Sequence, residues 1–180
     1  IDDMLAIADA FTTQDPDGDR KANTPGLGMT NDLWAHAAPF FNAFGAYPGF
    51  SQLMDYPHQW VKDSSGKLVV GMEAPEMKTA LLKLQELYKK GDIDKEYALI
   101  NYDKLPQQIA DGKVGMIYGV WWYPLWPLQM NRDKDPNAEW KAYPMPSATG
   151  APAKMGISGL SLRRYNVVTT NMKNPEAAIK

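Results

Sequence analysis

Three of the chain's six tryptophans fall within six residues, in the run Gly119-Val120-Trp121-Trp122-Tyr123-Pro124-Leu125-Trp126-Pro127. Proline lacks a backbone N–H and fixes its own φ, so this run cannot continue as a regular helix or a central strand. It reads as a loop. A core absorbs one or two indoles easily, but rarely this many so close together. Aromatics this dense can form a flat apolar wall with a few N–H and O–H groups at its edges. Such a wall suits a polyhydroxylated ring, whose C–H face can lie on an indole. The competing reading is packing within a core or between elements, because tryptophan is on average mostly buried. Trp121, Trp122, Tyr123 and Trp126 are the candidate ligand-binding residues.

The segments leading into the run suggest an α/β arrangement. A helix is expected from about Tyr102 to Ala110, ended by Asp111-Gly112. Lys113-Val114-Gly115-Met116-Ile117-Tyr118 then reads as a strand that feeds the aromatic run. Open α/β sheets place ligands beyond strand ends, and the run falls where such a site would be. Further strands are expected near Glu139-Trp140-Lys141-Ala142-Tyr143, Leu160-Ser161-Leu162 and Tyr165-Asn166-Val167-Val168-Thr169.

The clearest helix runs from Pro75 to about Lys90. Pro75 suits the first helical position, Lys89 and Lys90 complement the C-terminal dipole, and Gly91 can take a left-handed exit. Met77, Leu81, Leu84 and Tyr88 are expected to line its apolar face, with Ala80 and Leu87 beside them. Gln59-Trp60-Val61-Lys62 and Lys67-Leu68-Val69-Val70 flank Asp63-Ser64-Ser65-Gly66, the pattern of a hairpin. Residues 15–28 read as a polar loop. Residues 30–60 read as short helices and turns, one opened by Asn31-Asp32-Leu33-Trp34 and another over Pro39-Phe40-Phe41-Asn42-Ala43-Phe44.

Both ends look cut. Ile1, Met4, Leu5, Ala8 and Phe11 follow the spacing of one helical face from the first residue. Asn174-Pro175-Glu176-Ala177-Ala178 starts a helix with a capping residue and a first-turn proline. The expectation is a single truncated α/β domain over residues 1–180, part of a longer protein.

Composition excludes more than it suggests. Nineteen basic and 21 acidic residues leave a net charge of −2, without the basic patch that a nucleic acid requires. Cysteine is absent, which removes disulfides, thiol nucleophiles and thiolate zinc sites. His36 and His58 lack the spacing of a metal pair and read as surface or packing residues. No stretch approaches the roughly 18 apolar residues of a membrane helix. Gly156-Ile157-Ser158-Gly159 comes near a nucleophile elbow but lacks its spacing, and no dinucleotide or phosphate-loop fingerprint occurs. Enzymatic turnover is not expected.

The second informative segment is Asp15-Pro16-Asp17-Gly18-Asp19-Arg20-Lys21-Ala22-Asn23-Thr24. Oxygen side chains recur at alternating positions, and Lys21 can offer its carbonyl. A hard cation such as calcium takes about six to eight oxygens from a tightly curled chain. Arg20 and Gly26 stand where an EF-hand has glycine and glutamate, so the match is partial. A surface loop of turn formers explains the same composition.

Three stretches carry a family resemblance. They are Ala10-Phe11-Thr12-Thr13 running into Asp15-Pro16-Asp17-Gly18-Asp19 and Thr24-Pro25-Gly26-Leu27; Asp111-Gly112-Lys113-Val114-Gly115-Met116 through Trp121-Trp122; and Pro144-Met145-Pro146 with Asn174-Pro175-Glu176-Ala177-Ala178. In their order and spacing the chain resembles the central part of an extracellular solute-binding protein of an ABC sugar importer. The group it is most like is the LplA-like lipoproteins, related to alginate-oligosaccharide-binding proteins. The resemblance implies a periplasmic-binding-protein-like class II fold, of which this chain would be mostly one lobe. It implies a monomeric receptor that closes on an oligosaccharide and presents it to an ABC permease, outside the cell and lipid-anchored to its membrane. It also implies a structural calcium ion held by Asp15, Asp17, Asp19, the Lys21 carbonyl and Asn23. Neutral Asn23 and cationic Arg20 depart from the family pattern and predict weak or absent calcium binding. The alternative is a carbohydrate-binding or structural module of a secreted enzyme.

Overall fold

Helix α1 (Asp2–Thr13) opens with Asp2 and Asp3 at the positive end of its dipole. Ala8 is buried, while Met4 and Leu5 pack onto the main core. The computed structural model describes residues 1–16, 18–21, 23–49, 59–156 and 167–178. At the end of α1 the chain turns back and crosses the helix. A Cβ on Gly26 would lie 2.1 Å from the Ala8 carbonyl oxygen, so only glycine permits this crossing. Thr12 seals the contact. Its hydroxyl donates to Ala8 O (3.0 Å) and accepts from the Gly26 N–H (3.1 Å).

Helix α2 (Leu33–Ala43) corrects one expectation, for it is continuous through Pro39 where two short helices were read. An interior proline costs about 3 kcal/mol. Phe40 and Phe41 next to it are fully buried, and each such side chain contributes about 1.5–3 kcal/mol, which offsets the lost backbone bond. The hairpin follows as expected. Strands β1 (Trp60–Lys62) and β2 (Leu68–Val70) pair antiparallel in the register Trp60↔Val70, Val61↔Val69 and Lys62↔Leu68. Asp63 Oδ1 holds the turn by accepting from Ser65 N (2.8 Å) and Lys67 N (3.0 Å), and Gly66 supplies the positive φ of 84°.

Helix α3 (Pro75–Lys90) has the expected limits, and Gly91 leaves it at φ 97°. Its apolar face is rotated from the expected one. Met77, Ala80, Leu84 and Leu87 are buried, whereas Leu81 and Tyr88 face largely outward. The small Ala80 lets the helix approach the core closely. Tyr88 is used elsewhere, edge-on to Tyr97 at 5.8 Å and beneath the Lys95 ammonium. Helices α4 (Lys104–Ala110) and α5 (Leu128–Lys134) pack together through Asn131. That side chain donates to Ala110 O (3.4 Å) and accepts from the Trp140 indole N–H (2.8 Å).

The expected strand 113–118 is extended but forms only one parallel bridge, Leu27↔Met116, with Gly28 N–H donating to Met116 O (2.8 Å) and Gly115 N–H to Pro25 O (3.0 Å). Among the described residues it is paired along one edge only, too briefly to count as a sheet strand. Its partner is the tail of the segment read as a polar loop. Residues 139–143 are irregular rather than a strand. Leu160, Ser161, Leu162, Tyr165 and Asn166 lie outside the described residues, and 167–169 form no strand. Pro175–Ala178 is a single 3-10 turn.

Two apolar clusters result. The larger gathers Leu27, Met29, Phe40, Phe41, Met77, Leu84 and Ile93. The smaller gathers Ile100, Leu105, Ile109 and Val114, with Leu128 and Trp140 against it. Tyr97 touches both. The extended segment 113–118 contributes to both as well, and it carries the aromatic run at its end.

Candidate functional site

Residues 119–127 fold into consecutive turns rather than a flexible excursion. Tyr123 N–H donates to Val120 O (3.0 Å), Leu125 N–H to Trp122 O (2.9 Å), Trp126 N–H to Trp122 O (3.1 Å) and Leu128 N–H to Tyr123 O (3.1 Å). The Trp126–Pro127 peptide is cis. Gly119 is required by contact, since a Cβ there would meet the Tyr123 ring at 2.5 Å. The tyrosine ring therefore lies directly on the backbone that enters the run.

The structure brings the four aromatic candidates together but gives them different surroundings. Trp121, Trp126 and Trp122 are 83%, 49% and 41% exposed, and Leu125 between them is exposed too. The rings of Trp121 and Trp122 meet edge to face, with centroids 5.5 Å apart and planes at 89°. Tyr123 is half-buried and turns its hydroxyl inward, 3.4 Å from His36 Nε2. Burial raises its pKa, so the phenol keeps its proton. Trp126 and Tyr123 roof a small cavity floored by His36, Tyr102 and Ile109, with room for about one water. The packing alternative describes Trp34 and Trp140, which lie against the two cores. The three indoles of the run are more exposed than these two.

The inner face of the loop rests on a polar group that sequence reasoning passed over. His36, on α2, was read as a surface or packing residue. It is buried, and its Nδ1 lies 2.9 Å from the Thr30 hydroxyl, which is also fully buried. Tyr102 packs on the imidazole at 4.9 Å. Desolvation lowers the His36 pKa, with the nearby Asp32 charge opposing. Burial first, and then the Asp32 carboxylate, push the Tyr102 phenol well above its ordinary range. No sequence spacing announces this group, because Thr30, His36, Tyr102 and Tyr123 come from four separate segments.

The acidic loop is curled as a cation loop would be, with Asp15 and Arg20 at positive φ (49° and 63°). Its oxygens are largely engaged from within. Asp15 Oδ2 accepts from Arg20 N (2.8 Å), and Asp19 accepts from Lys21 N (2.9 Å), Asn23 Nδ2 (2.8 Å) and Lys113 Nζ (3.2 Å). The Asn23 hydrogen bond, and then Lys113, lower the Asp19 pKa. Asp15 Oδ1 is buried without a hydrogen-bond partner. Among the described residues no three acidic or histidine side chains gather as a metal cluster, and Asp17 lies outside those residues. So do His58 and all but the first residue of Gly156-Ile157-Ser158-Gly159. No described helix is long and apolar enough to cross a membrane.

Solved structures with this architecture exist. One is described as an HMO-binding, ABC-transporter-associated solute-binding protein from Bifidobacterium longum infantis. It superposes at a TM-score of 0.60 with 22% identity, over 83% of this chain and 30% of its own. An extracellular solute-binding protein from Bifidobacterium longum subsp. infantis matches at the same TM-score with 24% identity and the same coverage. The chain has a mixed α/β solute-binding-protein-like fold. Curated relatives agree with it. The polygalacturonan/rhamnogalacturonan-binding protein YtcQ of Bacillus subtilis is 30% identical over 119 residues, 66% of this chain and 22% of that protein. The lipoprotein LipO of the same organism is 28% identical over 123 residues, 65% of this chain and 22% of that protein. The chain thus spans about a fifth of the length of these relatives. No family model matches it.

Proposed function

We propose that this chain is the central part, mostly one lobe, of an extracellular, lipid-anchored carbohydrate receptor of an ABC importer. On this reading the fold is the class II form of periplasmic-binding proteins, and the parent is a monomer. The observation that carries the proposal is the display of Trp121, Trp122 and Trp126 on a hydrogen-bonded turn, within a fold shared with solute-binding proteins. Exposed indoles held in place lose little entropy when a sugar's C–H face settles on them. Each good aromatic contact contributes roughly 1 kcal/mol. Hydrogen bonds from both lobes supply specificity, and closure presents the liganded receptor to a membrane permease. The receptor binds and releases its ligand without chemical turnover.

The names of the relatives suggest the first ligands to try: fragments of polygalacturonan and rhamnogalacturonan, and HMO. Titrating them into the parent protein while following tryptophan fluorescence tests the reading. Trp122→Ala is expected to weaken binding about fivefold to tenfold, which corresponds to roughly 1 kcal/mol. Unchanged affinity across alanine variants of Trp121, Trp122, Tyr123 and Trp126 would reject the placement. Equal affinity of this chain and its parent would reject the need for a second lobe and favour a self-contained module.

Within the same reading the acidic loop takes calcium weakly, as a structural ion. Asp15, Asp17, Asp19, Asn23 and the Lys21 carbonyl would hold it. The buried Asp15 oxygen supports this, and the Lys113 ammonium on Asp19 limits the affinity. The ion would cross-link the curled loop and have no part in ligand recognition.

A further inference from the structure

Resting on the reading of the aromatic run as the ligand wall, we propose that His36 is its positioning residue: a buried neutral imidazole that ties the Tyr123 hydroxyl to Thr30 and so fixes the turn displaying the three indoles. Its two ring nitrogens face two different hydroxyls. Thr30 Oγ1 lies 2.9 Å from Nδ1, and the Tyr123 hydroxyl lies 3.4 Å from Nε2. A neutral imidazole has one donor and one acceptor nitrogen, and a hydroxyl can play either part, so a single tautomer serves both contacts. The series runs from Tyr123 through His36 to Thr30. Thr30 and His36 are both buried, so a polar group left there without its partner is costly. Tyr102 closes the other side of the imidazole.

Tyr123 is the right residue to hold. Its N–H and C=O both make turn hydrogen bonds, to Val120 and Leu128, and its ring lies on Gly119. Fixing that ring fixes residues 119–128 as a unit. The mutual geometry of Trp121 and Trp122 depends on the same turn. Tyr123 thus acts from beneath the wall, while the three tryptophans form its face.

The test needs no sugar. Imidazole nitrogen NMR on this chain at neutral pH is expected to show His36 as a neutral ring held in a single tautomer; rapid averaging of the two tautomers or an imidazolium would overturn the proposal. The edge-to-face Trp121–Trp122 pair should give an exciton couplet in far-ultraviolet circular dichroism, identified by its loss in Trp121→Phe. His36→Asn keeps an amide near Nδ1 but leaves nothing at Nε2, whereas His36→Gln can reach the Nε2 position. His36→Asn and Tyr123→Phe are each expected to lose most of the couplet, their combination no more than either alone, and His36→Gln to retain it. An unchanged couplet in folded Tyr123→Phe, or losses that add, would overturn the proposal. Tyr123→Phe removes one hydroxyl and so carries the test should His36→Asn not fold. Failure of every sugar to bind, with the tautomer and couplet as expected, would reject the ligand reading and leave the positioning role standing.

Discussion

The aromatic loop and the acidic loop are both short, proline-bearing segments, and each depends on one glycine for a close contact. They direct their chemistry in opposite senses. Around Trp121–Trp126 the polar groups of the backbone are satisfied internally and the large apolar rings are left to solvent. Around Asp15–Asn23 the carboxylates of Asp15 and Asp19 are engaged within the loop or by its neighbour, on backbone N–H groups, Asn23 and Lys113. The first arrangement leaves much of its apolar ring surface uncovered by the described residues. The second uses much of its binding capacity to hold itself together. Composition marks both loops as candidate sites, but only the engagement of their groups tells a displayed site from a self-satisfied one.

The glycines offer the sharpest contrast. At Gly26 an added Cβ would strike the Ala8 carbonyl at 2.1 Å, and a helix backbone cannot step aside. Gly26→Ala is expected to cost about 3 kcal/mol or more and to lower Tm strongly, as overpacking against rigid structure does. At Gly119 the atoms nearest an added Cβ belong to the Tyr123 ring, at 2.5 Å, so a side chain rather than a helix backbone must shift. Gly119→Ala is expected to cost about 1 kcal/mol while disordering the indoles, seen as a lost exciton couplet with a nearly unchanged Tm. Equal destabilisation by the two substitutions in thermal melts would break the comparison.

Asp92 is the next largest test, because it lies at the foot of the acidic side. Its backbone carbonyl accepts from Leu27 N (2.7 Å), yet its carboxylate is buried at 1% exposure without a hydrogen-bond partner. The Thr12 hydroxyl beside it donates to Ala8 O, and its lowering effect on the Asp92 pKa is smaller than the rise from burial. Burial, aided by the Asp9 charge, raises the Asp92 pKa. The native state therefore binds a proton more tightly than the unfolded chain, and stability falls as pH rises through that window. Asp92→Asn is expected to stabilise by about 1 kcal/mol at pH 7, where the wild type must either bury the charge or take up a proton that the unfolded chain does not hold. The gain should vanish below pH ~4, where wild-type Asp92 is protonated in both states. Urea melts of both proteins across that range check the sign. His36 behaves oppositely. Its pKa is lowered by burial, so its contribution is full above the ordinary histidine value of about 6.5 and is lost as pH falls through the folded value.

Local rules carried well where a local cause dominated. Pro75, Lys89, Lys90 and Gly91 delimit α3 by terminal chemistry, and Asp63 with Gly66 sets the hairpin turn. The buried stripe of α3 was less legible, because Leu81 and Ala80 fit a helical period equally well and the packing of α2 chooses between them. The strand reading of 113–118 overreached for a related reason. Its residues favour extension, but a sheet needs partners, and its one partner lay in a segment that looked like a polar loop. At the candidate site, dense aromatics between prolines announced an irregular aromatic loop, and residues 119–127 do fold as turns with exposed rings. The support beneath it was illegible, since a lone histidine acquires meaning only when Thr30 and Tyr123 are brought to its two nitrogens.

Lys113 provides the smallest and most discriminating test of the acidic loop. It begins the segment that leads to the aromatic wall, and its ammonium lies 3.2 Å from Asp19 Oδ2. Both side chains are about one-third exposed, so the pair is screened by solvent and contributes little to stability. Its larger effect is on what else Asp19 can hold. A divalent cation approaching Asp19 must displace that ammonium and work against its charge. Lys113→Met keeps the aliphatic stem and removes only the cation. Without added metal its Tm is expected to match wild type closely, since a weak surface pair is lost. With millimolar calcium the variant should gain more in Tm than wild type, because linkage stabilises whichever form binds more tightly. Sugar affinity of the parent should not change in either case. A calcium response equal in the two proteins would show that Lys113 does not hold the loop closed against a cation, and the proposed contrast between the two loops would then rest on the aromatic side alone.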